Sequence, residues 1–526
     1  MKKIFQTCIL LIFSFILSYS YAEKVHVRNF KKSELKSVSA GCLPAGSFKY
    51  LEIGNVRTRI NSNGGMWWDF EVAQYEVPKG SGKMSLFAAA LWIGGVDVND
   101  QLKLAALRFG QGDPVGTANS HQDFWTGPLT IDGSAAIDPE SCAQYDKHYP
   151  ITRTMIDEYL AWWEDPAAYP NYSIPEEIKN WPAHPYDQTK NQSFYLAPFF
   201  DRDGDGVYDP ENGDYPYYDL TGELCKTLTP TKDAEYYYPS SQYSENWLYG
   251  ILSDQVIKGD QTLWWVFNDK GNIHTETKGD AIGMEIRAQA FAFATNDEIN
   301  NMTFYSYEII NRSTFTLRDT YFSQWVDPDL GYAADDYVGC DVVRGLGYCY
   351  NGKPVDGSGQ PWAYGDQPPA VGVDFFQGPY MDRIKPGEPL YNQDRPSAFD
   401  DKGKLISCDI IKDYHFPEAI NGVNFGDGIA NNERFGMRRF VYYNNSNDPI
   451  NGEPRAAIDY YNFLKGIWKN GDYMYFGNLA LPPGSGASSG YGPITDFMFP
   501  GDSDPCFWGT HFEEVILPEG KYWTEE

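Results

Sequence analysis

One stretch of this chain has both the residue types and the spacing for metal chemistry: Asp201-Arg202-Asp203-Gly204-Asp205-Gly206-Val207-Tyr208-Asp209-Pro210-Glu211-Asn212-Gly213-Asp214. A hard divalent cation such as calcium is held by oxygen alone. A calcium loop supplies that oxygen from side chains at its first, third, fifth and ninth places and from a backbone carbonyl at the seventh, after a glycine turn at the sixth. Asp201, Asp203, Asp205, Gly206, Val207 and Asp209 fall in those places in order. The twelfth place, where a bidentate carboxylate is expected, holds Asn212, and Glu211 or Asp214 could supply the missing group. The plainer alternative is an acidic turn without metal, because Asp and Gly are also common turn residues. Against that, carboxylates packed this densely repel one another unless a cation sits among them. The expected ligand set is therefore Asp201, Asp203, Asp205, the Val207 carbonyl, Asp209, Asn212 and Asp214, around a structural Ca2+.

The flanks say what must position this loop. Ala197-Pro198-Phe199-Phe200 before it and Tyr215-Pro216-Tyr217-Tyr218 after it are not amphipathic helices. The loop thus resembles the short acidic repeats of dockerins and thrombospondin type 3 modules more than a helix-flanked EF-hand. It lies in a section, 138–259, that differs from the rest of the chain. Met155, Tyr159 and Trp162 or Trp163 recur at helical spacing between Thr152, a candidate cap, and Pro166. A second short helix is expected over Pro175–Trp181, with proline in its first turn. A Tyr- and Ser-rich stretch, Tyr236–Tyr249, follows. This section reads as a helical and irregular connector pinned by calcium.

On either side of it the pattern is β. In the N-terminal section, 23–137, Met84–Ile93 and Leu102–Phe109 are apolar runs around a Gly94-Gly95 and Asp97–Asp100 turn, the mark of a hairpin. In the C-terminal section, 260–526, Gln261–Phe267, Ile282–Thr295, Met302–Asn311 and Thr316–Val326 follow one another with turns between. That spacing predicts antiparallel β-sandwich modules. The fold class expected is mostly β, with the short helical, calcium-loop-containing connector between modules. Trp67, Trp68 and Trp92 read as core residues, with a sugar-binding platform as the alternative.

Composition bounds the function. The 526 residues include 39 Tyr, 15 Trp, 50 Gly and 34 Pro, which favours short strands and many turns. A net charge of -30 argues against nucleic acid or an anionic membrane as partner and suits an exported protein that works with divalent cations. Met1-Lys2-Lys3, an apolar run from Ile4 to Leu17 and Ser20-Tyr21-Ala22 form a secretory leader over 1–22, so the mature chain is expected to begin near Glu23. The apolar run is shorter than the roughly 20 residues of a spanning helix. No second run of that length follows. Export permits disulfides among Cys42, Cys142, Cys225, Cys340, Cys349, Cys408 and Cys506. Cys340 and Cys349 are closest in sequence, although spacing alone does not select them.

A second acidic segment, Asp327, Asp329, Asp335, Asp336 and Asp341, is read as a solvated loop, a further cation site or an acid/base pair, and Asp427–Glu433 as a weaker acidic turn. Standard catalytic patterns are lacking. Gly486-Ala487-Ser488-Ser489-Gly490 matches a nucleophile elbow only in letters, because it sits in a Pro/Gly/Ser loop. The histidines, His26, His121, His148, His184, His274, His415 and His511, include no zinc-protease pair.

Several segments carry a resemblance: Asn61–Asp69, Tyr75–Lys83, Gly259–Gly271, Tyr307–Ser313, Trp325–Asp341 and Gly345–Asn351. Over most of its mature length the chain is similar to large exported proteins of Bacteroidetes that use the type IX secretion route. The resemblance implies a signal peptide, β-rich modules, acidic loops and a C-terminal sorting domain. It assigns no catalytic residue. No sorting domain is recognisable before Glu526, so a fragment of a longer protein is expected. Three functions follow from these readings. The first is a secreted or cell-surface calcium-stabilised structural or adhesion protein, with an extracellular glycan or surface protein as partner. The second is a carbohydrate-binding module array. The third is a secreted polysaccharide- or protein-degrading hydrolase, which needs carboxylates or a triad converging in one cleft.

Overall fold

Short β-branched and aromatic runs punctuated by glycine and proline form strands because extended backbone suits their side chains and the turns between them need φ values those side chains resist. The chain is described from a computed structural model over residues 40–109, 121–218, 256–400, 402–405, 408, 417–511 and 522–525. These residues belong to the compact unit Ser33–Glu526. The leader at 1–22, its cleavage point and the stretch Tyr236–Tyr249 lie outside them.

The strands in chain order are β1 (Phe48–Leu51), β2 (Arg57–Asn61), β3 (Tyr75–Glu76), β4 (Met84–Leu86), β5 (Ala88–Val96), β6 (Leu102–Ala105), β7 (Trp125–Thr126), β8 (Tyr149–Thr152), β9 (Phe199–Phe200), β10 (Tyr215–Pro216), β11 (Gln261–Asn268), β12 (Met284–Ala292), β13 (Phe304–Asn311), β14 (Arg318–Asp327), β15 (Asp336–Asp341), β16 (Leu346–Asn351) and β17 (Ala370–Asp374). Every pairing among them is antiparallel. The fold is mostly β, as expected, in sandwich-like modules.

The sheets cross the boundaries read from the sequence. β5 and β6 form the expected hairpin, with Val96 opposite Leu102, but the other edge of β5 pairs with β14, more than two hundred residues on in the chain. β11 pairs with β12 on one side and with β7 and β8 on the other. Strands from 23–137, from 138–259 and from 260–526 therefore share sheets. The section read as a connector supplies one of the edges of the central sheet.

β5, β11 and β12 are buried on both faces, which explains why Leu263-Trp264-Trp265-Val266-Phe267 reads as a continuous apolar run. On β13, Tyr305 and Tyr307 reach the turn after β2. Trp67 Nε1 donates to the Tyr305 hydroxyl at 2.7 Å, and the Tyr307 hydroxyl donates to Met66 Sδ at 3.4 Å. Trp67, Trp68 and Trp92 are 3%, 4% and 3% exposed, so they are core and not a platform.

Four α-helices are described: α1 (Pro139–Gln144), α2 (Arg153–Glu164), α3 (Glu176–Lys179) and α4 (Ala457–Leu464). α2 begins as its sequence dictates, with the Thr152 side chain accepting from Met155 N at 3.2 Å. Ile156 and Tyr159 on α2 and Ile178 on α3 join Tyr149, Trp181, Phe199, Tyr215 and Trp264 in one buried cluster. α2 and α3 are thereby packed against the face of β11 that carries Trp264 and Val266.

Disulfides join Cys42 to Cys142 and Cys408 to Cys506. The pair nearest in sequence, Cys340 and Cys349, whose bridging the sequence left open, is free and buried. Cys340 lies opposite Gly347, and Cys349 lies opposite Val338, so the two are diagonal across the strands. The Cys340 thiol instead donates to the Met498 carbonyl at 3.3 Å.

Candidate metal centre

The acidic loop closes a two-stranded hairpin in which Tyr215 lies opposite Phe200 and Pro216 opposite Phe199. The flanks are short strands and not the amphipathic helices of an EF-hand. Three carboxylates then fold back on the backbone. Asp201, 4% exposed, accepts from Gly204 N through one oxygen and from Gly206 N through the other, both at 2.8 Å. Asp203 accepts from Asp205 N at 3.2 Å, and Asp205 accepts from Val207 N at 2.7 Å. Gly206 is required here twice over: its φ is +77°, and a Cβ would lie 2.9 Å from the Tyr195 hydroxyl.

The consequence is convergence. One carboxylate oxygen from each of Asp201, Asp203 and Asp205 lies within 4.8 Å of the other two. Calcium binds oxygen at about 2.4 Å, so oxygens on one coordination shell are separated by at most roughly 5 Å. Among the described residues this is the one group of three or more His, Cys, Asp or Glu side chains that close together. The donor set is all oxygen, which suits a hard cation.

The second half of the predicted ligand set is tied differently. Both oxygens of Asp214 accept backbone amides, from Arg202 at 2.9 Å and Asp209 at 2.8 Å, which staples the two ends of the loop together. Burial, with Asp201 and Asp203 adding their negative charge, pushes the Asp214 carboxyl above the usual carboxylate range. Asp209 accepts from Glu211 N at 3.0 Å and from the Asn212 side-chain amide at 3.0 Å. Val207 is exposed. Asp209 and Asp214 thus lie outside the converging group, and Asn212 faces Asp209.

The connector holds the loop in place. The Tyr159 hydroxyl of α2 donates to Pro210 O at 2.8 Å, and the Tyr208 hydroxyl donates to Ile178 O on α3 at 2.7 Å. His184 uses both ring nitrogens: Nε2 accepts from Tyr208 N at 2.9 Å and Nδ1 donates to Phe194 O at 2.8 Å. Burial lowers its pKa, so the ring is a neutral brace and not a ligand. The Arg202 guanidinium lies 5.4 Å from the Trp163 ring of α2.

The other candidates divide. Asp327, Asp329, Asp335, Asp336 and Asp341 do not gather into such a group. Asp341 pairs with Arg344, Asp335 lies 3.7 Å from Lys353, and Asp336 accepts from Leu330 N at 3.0 Å. Burial, reinforced by neighbouring carboxylates, pushes Asp327 and Asp336 up to about 7. In the third acidic turn Asp427 accepts from Ile429 N at 2.8 Å and Glu433 is buried against Arg395 at 2.7 Å, both structural roles.

Sequence reading missed a buried polar knot. Glu276 receives Arg108 Nε at 2.8 Å, His121 Nδ1 lies 3.1 Å from its other oxygen, and the Tyr460 hydroxyl donates to it as well. Nearby Asp123 accepts from Ala106 N, Glu276 N and the Thr277 hydroxyl. Glu276 lies more than 150 positions from Arg108, His121 and Tyr460, so no local motif announces the knot. The pairing of His121 with a carboxylate appears only once the segment after β6, the turn before β12 and α4 are packed together.

Comparison of the chain with protein-family models, with curated proteins and with solved structures finds no match in any of the three.

Proposed function

We propose that this chain is an exported, calcium-stabilised structural or adhesion protein of the cell surface or extracellular space, related to the type IX secretion substrates its sequence resembles. The observation that carries this reading is the convergence of Asp201, Asp203 and Asp205 within 4.8 Å on a loop whose ends are stapled by Asp214. Calcium there would neutralise the repulsion among the three carboxylates and fix the hairpin against α2 and α3. Two disulfides support an oxidising compartment, in keeping with the leader pattern. The net charge of -30 supports a protein that meets divalent cations outside the cell.

A thermal melt of the mature chain with calcium and with chelator tests this. Calcium at a hundredfold excess over its dissociation constant is expected to stabilise the wild type by about 2.7 kcal/mol, read as a concentration-dependent rise in Tm. The double variant Asp203→Ala/Asp205→Ala should melt at one temperature in both conditions. A wild type indifferent to calcium would leave the loop a solvated turn.

A further inference from the structure

We propose that the groove between α2 and the turn that follows it is a binding site for a neutral pyranose unit of an extracellular glycan. The groove has a volume of about 410 Å3 and is lined by Glu158, Ala168, Tyr169, Pro170, Asn171 and Tyr172. That volume is within the range of small-molecule sites, roughly 300–1,000 Å3.

The walls are held in advance of any ligand. Ala168 N donates to Asp165 O at 3.1 Å, Tyr169 N to Pro166 O at 3.3 Å and Tyr172 N to Tyr169 O at 3.1 Å, a succession of tight turns containing two prolines. The Tyr172 ring is stacked on Trp162 of α2, with centroids 5.3 Å apart and planes 29° apart. Tyr169 is 45% exposed. A sugar ring has apolar C–H faces that pack on aromatic rings and a rim of hydroxyls that need partners. Tyr169 and Pro170 offer the first, and the Glu158 carboxylate and Asn171 amide offer the second. The Tyr172 hydroxyl itself is enclosed behind this wall, so Tyr172 contributes its ring position and not a hydrogen bond to the ligand. Charge narrows the class. Glu158 and the net charge of -30 repel acidic polysaccharides and leave neutral ones.

The groove also sits one helix face from the acidic loop. Glu158 and Trp162 share one side of α2, while Tyr159 and Trp163, one residue on, face Pro210 and Arg202. Calcium should therefore stiffen the groove. This corollary rests on the calcium reading above, whereas the groove assignment does not.

The experiment is calorimetric titration of the mature chain with soluble mannan, xylan, galactan and β-glucan, with polygalacturonate and a proline-rich peptide as controls. At least one neutral polymer is expected to bind, with Tyr169→Ala weakening it about tenfold and Glu158→Gln weakening it severalfold. Both residues are exposed, and unchanged melting curves would establish that the variants fold. Failure of every neutral polymer, equal binding by both variants, or binding of the peptide or polygalacturonate alone would overturn the assignment. Chelator should weaken wild-type binding and leave Asp203→Ala/Asp205→Ala unchanged. Wild-type binding untouched by chelator would overturn the coupling to calcium.

Discussion

Replacing Glu276 by alanine is expected to destabilise the fold by about 3–5 kcal/mol, the cost of leaving a buried charge without its partner. Glu276 is 5% exposed and is the shared acceptor for Arg108, His121 and Tyr460. Burial opposes its ionisation, but the His121 hydrogen bond, the Arg108 charge and the Tyr460 hydroxyl outweigh that and hold it down to about 2. Because its folded pKa is depressed from 4.5, this stabilisation is present in full above pH 4.5 and is lost as the pH falls toward 2. Arg108 would lose its buried carboxylate partner and keep the more exposed Glu453, 3.6 Å away. Burial pulls its guanidinium pKa down, yet Tyr460 and Glu276 more than reverse this, and its side chain is 12% exposed. Urea denaturation of Glu276→Ala, Arg108→Met and the double variant measures the effect. The double variant should recover part of the loss, since an apolar pair in place of a buried ion pair is often nearly neutral. Single variants that unfold at the wild-type urea concentration would mean the knot contributes nothing to stability.

The second large effect concerns pH. His148 is 4% exposed, neither ring nitrogen has a hydrogen-bond partner, and Trp265 lies 5.1 Å from the ring. Burial, helped by the charge of Lys49, lowers its pKa to about 3. The unfolded chain takes up this proton near pH 6.5 and the folded chain only near 3. Stability from this residue is therefore full above pH 6.5 and falls as the pH drops toward 3, by about 3 kcal/mol at pH 4. Asp327 and Asp336 act with the opposite sign. Their folded pKa values are raised to about 7, so the folded state holds more protons between 3.8 and 7 and gains stability as the pH falls through that window. The clean readout is thus the difference between wild type and His148→Phe. The variant should unfold at a higher urea concentration at pH 4 and near the wild-type value at pH 7.5. A constant difference across that range would contradict a buried neutral imidazole.

The parts of this molecule legible from sequence are those where the signal is local. The hairpin β5–β6, the strands from β11 to β14 and the Thr152 cap of α2 follow from apolar and aromatic runs, turn residues and one hydroxyl in the right place. The acidic loop was legible for the same reason, since alternate aspartates and glycines fix both the turns and the carboxylates they present. What escaped depends on pairing between distant segments. β14 completing the sheet of β5, Cys42 reaching Cys142 and Glu276 gathering Arg108, His121 and Tyr460 all join residues more than ninety positions apart. Nor does position along a loop specify direction. Asp214 has the charge expected of a ligand, yet both its oxygens are taken up by backbone amides within the loop.

The most direct test of the calcium reading is a calorimetric titration of Ca2+ into the chelator-stripped mature chain, repeated with Asp201→Ala. The expected result is one site per chain that is lost in the variant, because Asp201 both contributes an oxygen and holds the Gly204 and Gly206 amides that shape the loop. No heat of binding in the wild type, or equal binding in the variant, would contradict it.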